Sequence, residues 1–410
     1  MAVLAINAGS SSLKFALYPV QEEHIFPALL IGVIEGLQPG GQMKLTWQHG
    51  GQCHEQGLLT DHKDPFDRAL QSLQALLDDV MHIELKKQGK DMQLLAIAHR
   101  VVHGGEKYRE AVLVDQNVLK DLSILSPLAP LHQPHNLAGI TAFMRAFPMV
   151  PQIACFDTAF HSTMPEEEYL FAIPLKFNAQ GIRRYGFHGL SYQFVANTLM
   201  SLSDRAHGRV VMAHLGNGAS LCGMLQGKSH ATTMGFSALD GLMMGTRCGS
   251  IDAGVVLHLL ASGWTDSQVQ DLLYKQSGLL GVSGISADMR QLCASEEPHA
   301  KLAVRMFNHR VVREIGALTA SLGGLDLIAF TGGIGEHNHV LRENVCQQLG
   351  YLGIVLDKEK NTLANGTTVA CLSTPESTIE VWMIPTDEGF VAAQAALKWI
   401  PQTERKSAIS

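Results

Sequence analysis

The chain has 410 residues, which at roughly 150 residues per domain predicts two or three domains. Hydrophobic residues make up 46% and charged residues 17%, a composition that excludes a largely disordered chain. The net charge of -7 argues against nucleic acid as a partner, and the lack of an 18-residue apolar run argues against a membrane-spanning helix. The seven cysteines form no Cys-x-x-Cys pair and the first residues lack the basic region of a secretory signal, so we expect a reduced, cytoplasmic protein.

The first predicted elements form a hairpin followed by a helix. Residues 3–6 are an apolar strand, residues 7–12 a loop of small polar residues, and residues 13–18 a second strand. From 65 to 87, apolar residues recur every three or four positions, which predicts an amphipathic helix. Asp64 is its expected N-cap and Pro65 its first helical residue.

A second hairpin is predicted about 200 residues later, with strands at 210–213 and 221–225 and a loop at 216–220. Both loops end in Ser-Leu, which indicates an internal duplication, although two unrelated hairpins remain the alternative. Further on, the pattern predicts a helix ending at Gly323-Gly324, a strand at 325–330, a glycine-rich turn at 331–335 and another helix. Strands that alternate with helices predict an α/β protein.

The two hairpin loops and the glycine-rich turn are places where backbone N–H groups can approach a phosphate chain. Lys14, just past the first loop, could add a point charge. The simpler alternative is that they are only turns. Residues 223–229 resemble a phosphate-binding P-loop but have three intervening residues where four are required, so we exclude that motif.

Polar residues also follow the apolar strands predicted at 94–98 and 153–156. These are Arg100 and Asp157, and the carboxyl ends of strands are where open α/β sheets bind ligands. Arg100 could bind a carboxylate or phosphate, and Asp157 could hold Mg²⁺. His188 and Arg247 each stand among glycines. Surface ion pairs and a turn-capping histidine are the alternatives, and the 19 histidines show no zinc-site spacing.

Taken together, these segments resemble the acetate kinase family of carboxylate kinases that form acyl phosphates. The matching motifs occur in the family's order at residues 6–15, 99–106, 156–161, 185–189, 214–218, 243–247, 288–290 and 330–336. The resemblance implies an α/β fold of two duplicated actin-like, ribonuclease H-like ATPase domains with a cleft between them. The first would comprise residues 1–156 and 387–410, with a returning C-terminal helix, and the second residues 157–386.

The resemblance also implies roles for individual residues. The catalytic residues would be Asp157, His188 and Arg247. The carboxylate would bind Arg100, with its acyl group near Val102, Leu131 and Phe187. Mg²⁺ or Mn²⁺ would be associated with Asn7 and Glu388. The nucleotide would contact Asn7, Lys14, His214, Leu215, Gly216, Asn217, Gly218, Asp288, Met289, Arg290, Gly333, Ile334, Gly335, Glu336 and His337.

The implied reaction is ATP + acetate ⇌ ADP + acetyl phosphate in a homodimer, without a nucleic acid or membrane partner. A propionate or butyrate kinase is the nearest alternative, because Ala238 stands where the family commonly has proline. A non-catalytic nucleotide switch of the actin or chaperone type is the other. Small carboxylic acids are already ionised near neutral pH, so Asp157 need not act as a base, and we expect it to act through Mg²⁺ or by orienting Arg100.

Overall fold

The computed structural model describes residues 1–21, 24–38, 40–58, 64–88 and 92–401. The chain divides into two compact units. Unit 1 comprises Met1–Ala159 together with the segment that starts at Asp387, and unit 2 comprises Phe160–Thr386. In the described ranges, no helix is long and apolar enough to cross a membrane.

The strands are β1 (Ala2–Ala8), β2 (Ser12–Gln21), β3 (His24–Ile25), β4 (Leu30–Glu35), β5 (Lys44–His49), β6 (Gln52–Gly57), β7 (Leu94–Val101), β8 (Val112–Leu113), β9 (Gln152–Phe156), β10 (Arg209–Leu215), β11 (Ala219–Leu225), β12 (Lys228–Thr232), β13 (Leu327–Thr331), β14 (Ala370–Cys371) and β15 (Glu380–Met383). The α-helices are α1 (Pro65–Gln88), α2 (Gln116–Ile124), α3 (Gln133–Ala146), α4 (Glu166–Tyr169), α5 (Gly189–Leu202), α6 (Ala253–Ala261), α7 (Asp266–Lys275), α8 (Gly278–Ser283), α9 (Met289–Ala294), α10 (Pro298–Ser321), α11 (Gly332–His337), α12 (His339–Gln348), α13 (Lys358–Leu363) and α14 (Glu388–Leu397). Short 3₁₀ helices lie at Ser126–Leu128, Ala159–Thr163, Leu175–Gln180, Asp204–His207 and Gly350–Leu352.

The two sheets share a six-strand core topology, to which unit 1 adds β3, β5 and β6. The sheet of unit 1 runs β6-β5-β4-β2-β1-β7-β9-β8, and that of unit 2 runs β12-β11-β10-β13-β15-β14. In each, an antiparallel hairpin (β1–β2 or β10–β11) is followed by two parallel neighbours (β7 and β9, or β13 and β15) and an antiparallel edge strand. The second hairpin is therefore part of a whole duplicated sheet, as the shared Ser-Leu loop ends indicated.

The central strands are apolar because helices cover them. All residues of β9 and β13 are buried, which is the pattern of parallel strands packed on both faces. In unit 1, the C-terminal helix α14 packs on β1 and β7, while α1 and α3 contribute Leu73 and Phe143 to the same core cluster as β1. In unit 2, α5 packs on β10 and shares a core with β11 and β13.

The helix predicted at 65–87 is confirmed as α1. The side chain of Asp64 accepts a hydrogen bond from the Phe66 backbone N–H at 2.8 Å, so the predicted N-cap is also confirmed.

Two local predictions were wrong. Asn7 was placed in a loop, but β1 runs through Ala8, because the hairpin register extends to Asn7 opposite Lys14. The turn at 331–335 is mostly helical, because Thr331 ends β13 and α11 begins at the next residue, Gly332. A left-handed Gly332 (φ +76°) makes this change of direction.

Candidate functional site

The guanidinium of Arg100 lies at the centre of a polar cluster in unit 1. Its Nε and Nη2 donate to the Asp157 carboxylate at 3.0 and 2.5 Å, and its Nη1 donates to Asn7 Oδ1 at 3.4 Å. Glu388 Oε2 lies 3.6 Å from Arg100 Nε. These four side chains come from the ends of three strands, β1, β7 and β9, and from the start of α14. The sequence assigned all four to one site, and the structure brings all four together.

Burial sets the electrostatics of this cluster. Burial by itself lowers the pKa of Arg100, but the carboxylates of Asp157 and Glu388 and the hydrogen bonds to Asp157 outweigh it, so that pKa is raised. Arg100 is therefore a permanent cation. The Arg100 side chain is 21% exposed and that of Asp157 only 1%, so the arginine is the more accessible of the two.

Asn136 supports the loop that comes after β7. Its side-chain oxygen accepts from the Val102 backbone N–H at 3.0 Å, and its amide donates to the carbonyl of Ala8 at 2.7 Å. Val102 is buried and Leu131 half-buried in the same unit. Sequence reasoning missed Asn136, because nothing in a helical pattern reveals that one asparagine joins two strand ends.

Lys14 lies opposite Asn7 in the β1–β2 ladder. Its side chain is exposed. The three-residue loop between these strands is closed by a hydrogen bond from the Gly9 N–H to the carbonyl of Ser12 at 2.9 Å. Lys14 is therefore next to a tight loop, as predicted.

In unit 2, His188 stands immediately before α5 in the left-handed conformation, with φ +59°. Few non-glycine residues adopt this conformation, and it costs of order 1–2 kcal/mol. The His188 ring stacks on that of His214 at 4.2 Å, and its Nδ1 lies 2.9 Å from Ser220 Oγ. His214 Nδ1 lies 2.8 Å from Ser191 Oγ. Two predicted site histidines therefore form one stacked pair.

The loop between β10 and β11 lies against these groups. An ideal Cβ on Gly218 would be 2.7 Å from Arg247 Nη2 and 3.4 Å from His188 Nε2, so a side chain there would displace the Arg247 guanidinium. Arg247 Nη1 donates to the carbonyl of Ala238 at 2.5 Å. The predicted phosphate loop, His188 and Arg247 thus come together in unit 2.

His161 holds the segment that leads to His188. Its Nε2 lies 2.9 Å from the carbonyl of Phe187, and its Nδ1 lies 2.8 Å from Ser229 Oγ. Burial lowers the pKa of His161 to about 4, so the ring is neutral near pH 7 and donates to the carbonyl through Nε2. Phe187 is itself buried in unit 2.

Asp288 caps α9 by accepting from the backbone N–H of Arg290 at 2.9 Å. The Arg290 Nη2 also donates to Asp288 at 2.6 Å, and these hydrogen bonds lower the pKa of that carboxyl. Arg290 is nevertheless largely exposed, so it remains available to a ligand. Met289 between them is buried, which does not favour its predicted contact with a nucleotide.

The segment 333–337 forms most of α11 and is fixed by hydrogen bonds to other parts of the chain. Glu336 accepts from the backbone N–H groups of Gly332 at 2.8 Å and Thr386 at 3.0 Å, so its carboxylate is engaged by the chain. The fully buried Arg342 donates to the carbonyls of Gly335 and Glu336, both at 2.8 Å. Leu215 is also fully buried, which does not favour its predicted contact with a nucleotide. Gly333 and His337 are exposed and Ile334 half-exposed, on the outer face of the same helix.

A sequence profile of the Acetokinase family matches residues 2–394. The chain belongs to this family. It is similar to the acetate kinase of Rhodopseudomonas palustris, with 47% identity over 96% of each chain. It is also similar to two solved structures, a propionate kinase from Francisella tularensis and the acetate kinase of Porphyromonas gingivalis. The propionate kinase has a TM-score of 0.86 and 34% identity, and the match covers 96% of this chain and 98% of that one. The acetate kinase has a TM-score of 0.83 and 35% identity, and the match covers 97% of this chain and 99% of that one.

Membership of the Acetokinase family confirms the predicted fold class, a duplicated actin-like ATPase fold. The six-strand core that the two sheets share is that duplication. Ser220 is a site residue that the sequence did not predict. It lies opposite His214 in the β10–β11 register, so a hydroxyl at this position faces the histidine pair only once the strands are paired. The signal in the sequence was its position two residues after the loop.

Proposed function

We propose that this chain is an acetate kinase that transfers the terminal phosphoryl group of ATP to acetate, reversibly and directly. The observation that carries the proposal is the accessible Arg100 cation held by the buried Asp157, in a chain that matches the Acetokinase family over residues 2–394. Phosphoryl transfer asks mainly for positioning and charge neutralisation, and fixed cations supply both.

Unit 1 would bind the carboxylate. The guanidinium of Arg100 offers planar donors that suit a carboxylate, and Asp157 fixes its orientation through two hydrogen bonds. Since acetate is ionised at neutral pH, Asp157 has no proton to remove. Its role in the proposal is to orient Arg100 and to supply an oxygen ligand.

The oxygen atoms that we propose as Mg²⁺ ligands lie around Arg100. Asn7, Asp157 and Glu388 supply one amide and two carboxylate oxygens, and such hard ligands are what Mg²⁺ prefers. These three residues would hold the ion with the ATP phosphates, and when bound it would neutralise phosphate charge. Mn²⁺, with the same ligand preference, is the substitute we expect to work.

Unit 2 would bind the nucleotide. Backbone N–H groups of the loop at 216–218 would receive phosphate oxygens, while Arg247 and a hydrogen bond from His188 would stabilise negative charge that develops on the transferred group. The adenosine side would contact Arg290 on α9 and the exposed residues of α11, among them Gly333 and His337.

Propionate kinase is the second candidate, for a specific reason. Ala238 is smaller than the proline common in the family, and its carbonyl accepts from Arg247, which places the residue beside a predicted catalytic group. One of the similar solved structures is also that of a propionate kinase.

We also propose a homodimer in the cytoplasm. Helix α6 is almost wholly apolar, yet none of its residues is buried, and Leu257 is 67% exposed. A second copy of this chain would cover that face. The seven cysteines are all free, as a reducing compartment requires.

A hydroxamate assay tests the activity. The full chain is incubated with ATP, Mg²⁺, hydroxylamine and acetate, propionate or butyrate, and acyl hydroxamate is measured. Acetyl hydroxamate at the highest kcat/KM supports acetate kinase, and a higher value for propionate supports the second candidate. ATP binding without any hydroxamate would identify a non-catalytic nucleotide switch and refute both.

A further inference from the structure

Two hydroxyl groups connect the interior of unit 2 to the imidazole of His188. Tyr192 Oη lies 2.5 Å from Ser220 Oγ, which in turn lies 2.9 Å from His188 Nδ1. Tyr192 and Ser220 are both 0% exposed. Without bulk water, each hydroxyl hydrogen must be donated to a protein acceptor, because an unsatisfied buried group is costly.

The fold fixes the positions of all three groups. His188 and Tyr192 lie one helical turn apart, and the Tyr192 N–H donates to the His188 carbonyl at 3.0 Å. Ser220 lies opposite His214 in the β10–β11 ladder, so the two side chains are on the same face of the sheet. The three groups therefore meet through one helix start and one strand pair, both of which are rigid elements.

The direction of the hydrogen bonds is set by Tyr192. Its oxygen accepts the backbone N–H of His214, and burial raises its pKa well above the usual value, so the phenol keeps its hydrogen. Within the described residues, Ser220 Oγ is the acceptor that this hydrogen reaches. Ser220 then has one hydrogen left, and His188 Nδ1 is the group that receives it.

A neutral imidazole that accepts at Nδ1 carries its hydrogen on Nε2. The Nε2 of His188 is the atom directed towards Gly218, beside Arg247 Nη2. The ring therefore presents an N–H donor to the predicted phosphate loop. The opposite tautomer would present a lone pair there, which repels a phosphoryl oxygen.

We propose that Ser220 and Tyr192 are positioning residues that hold neutral His188 in its Nε2–H tautomer, so that it donates a hydrogen bond to a phosphoryl oxygen. The kinetic part of this proposal rests on the proposed kinase activity. The tautomer itself does not, and it can be measured in the protein alone.

The first experiment is nitrogen NMR of the full chain labelled at histidine, near pH 7. The His188 signals are identified by their loss in His188→Gln. We expect a pyridine-like Nδ1 and a protonated Nε2, with the tautomer ratio changed in Ser220→Ala. An Nδ1–H tautomer in the unmodified protein, or a charged ring, would overturn the proposal whether or not the chain is a kinase.

Ser191→Ala is the matched control, since it removes a hydroxyl that contacts the neighbouring His214 instead of His188. It should leave the tautomer of His188 unchanged. If Ser220→Ala does not fold, Tyr192→Phe provides the same test, because Ser220 then no longer accepts the phenol hydrogen. The His188 signals should shift in the same direction as in Ser220→Ala. An unchanged His188 spectrum in Tyr192→Phe would count against the role of Tyr192.

The kinetic experiment separates positioning from general damage. We expect Ser220→Ala to lower kcat about 10- to 100-fold and Tyr192→Phe about 3- to 10-fold, with each KM changed less than about threefold, because a donor to the transition state is misdirected while substrate binding is kept. A rise in KM at unchanged kcat would overturn the assignment. Absence of kinase activity in the unmodified chain would refute the proposed function but leave the NMR result standing.

Discussion

The two hairpins of the duplicated sheets are alike in backbone and different in chemistry. Each has a three-residue loop that starts with glycine, Gly9 in β1–β2 and Gly216 in β10–β11. The penultimate residue of the first strand is Asn7 in one and His214 in the other. Duplication has kept the turn and exchanged the side chain that it presents.

The parallel strands next to the hairpins lead into different segments. In unit 2, β13 leads directly into α11 through Gly332, which aims a helix N-terminus at the end of the sheet. In unit 1, β7 leads into a loop whose first residue, Val102, is held by Asn136. In unit 2 the carboxylate of Glu336 accepts the N–H of Gly332 at that helix start, whereas in unit 1 the strand ends carry the Arg100 cluster. One core topology therefore carries two different polar arrangements.

The comparison predicts its largest effect at Arg247. Arg247→Ala should lower kcat by roughly 10²- to 10³-fold, as expected when a donor to the transition state is lost, and change the KM for acetate less than about threefold. Steady-state kinetics with both substrates measure this. Arg305→Gln, at an exposed arginine of α10 in the same unit, is the control and should keep full activity. A higher KM for acetate at normal kcat would show that Arg247 binds acetate, and would contradict our assignment of acetate binding to unit 1.

Arg100→Ala should instead raise the KM for acetate, by roughly 50-fold for a charged hydrogen bond worth about 2–3 kcal/mol. It should also lower the free energy of unfolding by about 3–5 kcal/mol, because the buried Asp157 carboxylate would lose its guanidinium partner. Denaturant unfolding measures the second effect.

The double variant Arg100→Ala/Asp157→Asn separates the two effects. It should recover most of the lost stability, since no buried charge remains, but not the KM. Recovery of both would mean that Arg100 acts only as a structural ion-pair partner.

Both units contain a buried neutral histidine, His99 in unit 1 and His161 in unit 2. Burial lowers the pKa of each to about 4. The unfolded chain then binds more protons between pH 6.5 and 4, so stability is full above pH 6.5 and falls as the pH falls towards 4. In His99→Gln, the free energy of unfolding should fall by about 3 kcal/mol less between pH 6.5 and 4 than in the unmodified protein. Unfolding measured at several pH values tests this.

The control for that slope is His207→Gln, at an exposed histidine, which should leave the pH dependence unchanged. His161→Gln should flatten the slope by a similar amount, if burial of the imidazole is the cause in both units. A flattening in only one of the two variants would show that burial of the other imidazole is not the cause there.

Asp157→Asn tests the role of the buried carboxylate. If Asp157 acts through Mg²⁺, the concentration of Mg²⁺ for half-maximal activity should rise about tenfold, equivalent to about 1.4 kcal/mol, and high Mg²⁺ should restore part of the activity. Titration of Mg²⁺ at saturating ATP and acetate measures this. Glu110→Gln, at an exposed glutamate of the same unit, is the control. An unchanged Mg²⁺ dependence would leave only the orientation of Arg100.

Periodicity and capping predicted the elements well where local forces decide them. The helix α1 could be predicted from its apolar repeat and from Asp64 before a proline, because both signals act within a few residues. The end of β1 could not be predicted, because small polar residues indicate a loop. In the structure, pairing of Asn7 with Lys14 keeps Asn7 in the strand.

The site residues divide in the same way. Arg100 and Asp157 could be predicted because charged residues at the ends of apolar strands are conspicuous in a sequence. Ser220 and Asn136 could not, because a serine or an asparagine acquires its role only from the partner that strand register or helix packing brings to it. Glu336 shows the converse, because its match to the family motif did not reveal that backbone N–H groups already engage its carboxylate.

The smallest predicted effect concerns the acyl chain and Ala238. A methylene in a pocket is worth about 1–3 kcal/mol, so with the smaller alanine we expect the kcat/KM of propionate to rival that of acetate. Ala238→Val should lower the propionate value relative to acetate by about tenfold while keeping the carbonyl that Arg247 contacts. Ala320→Val, at an exposed position of α10, should leave the ratio unchanged. If the ratio moves equally in both variants, Ala238 does not contact the acyl group, and its size does not decide between the two carboxylates.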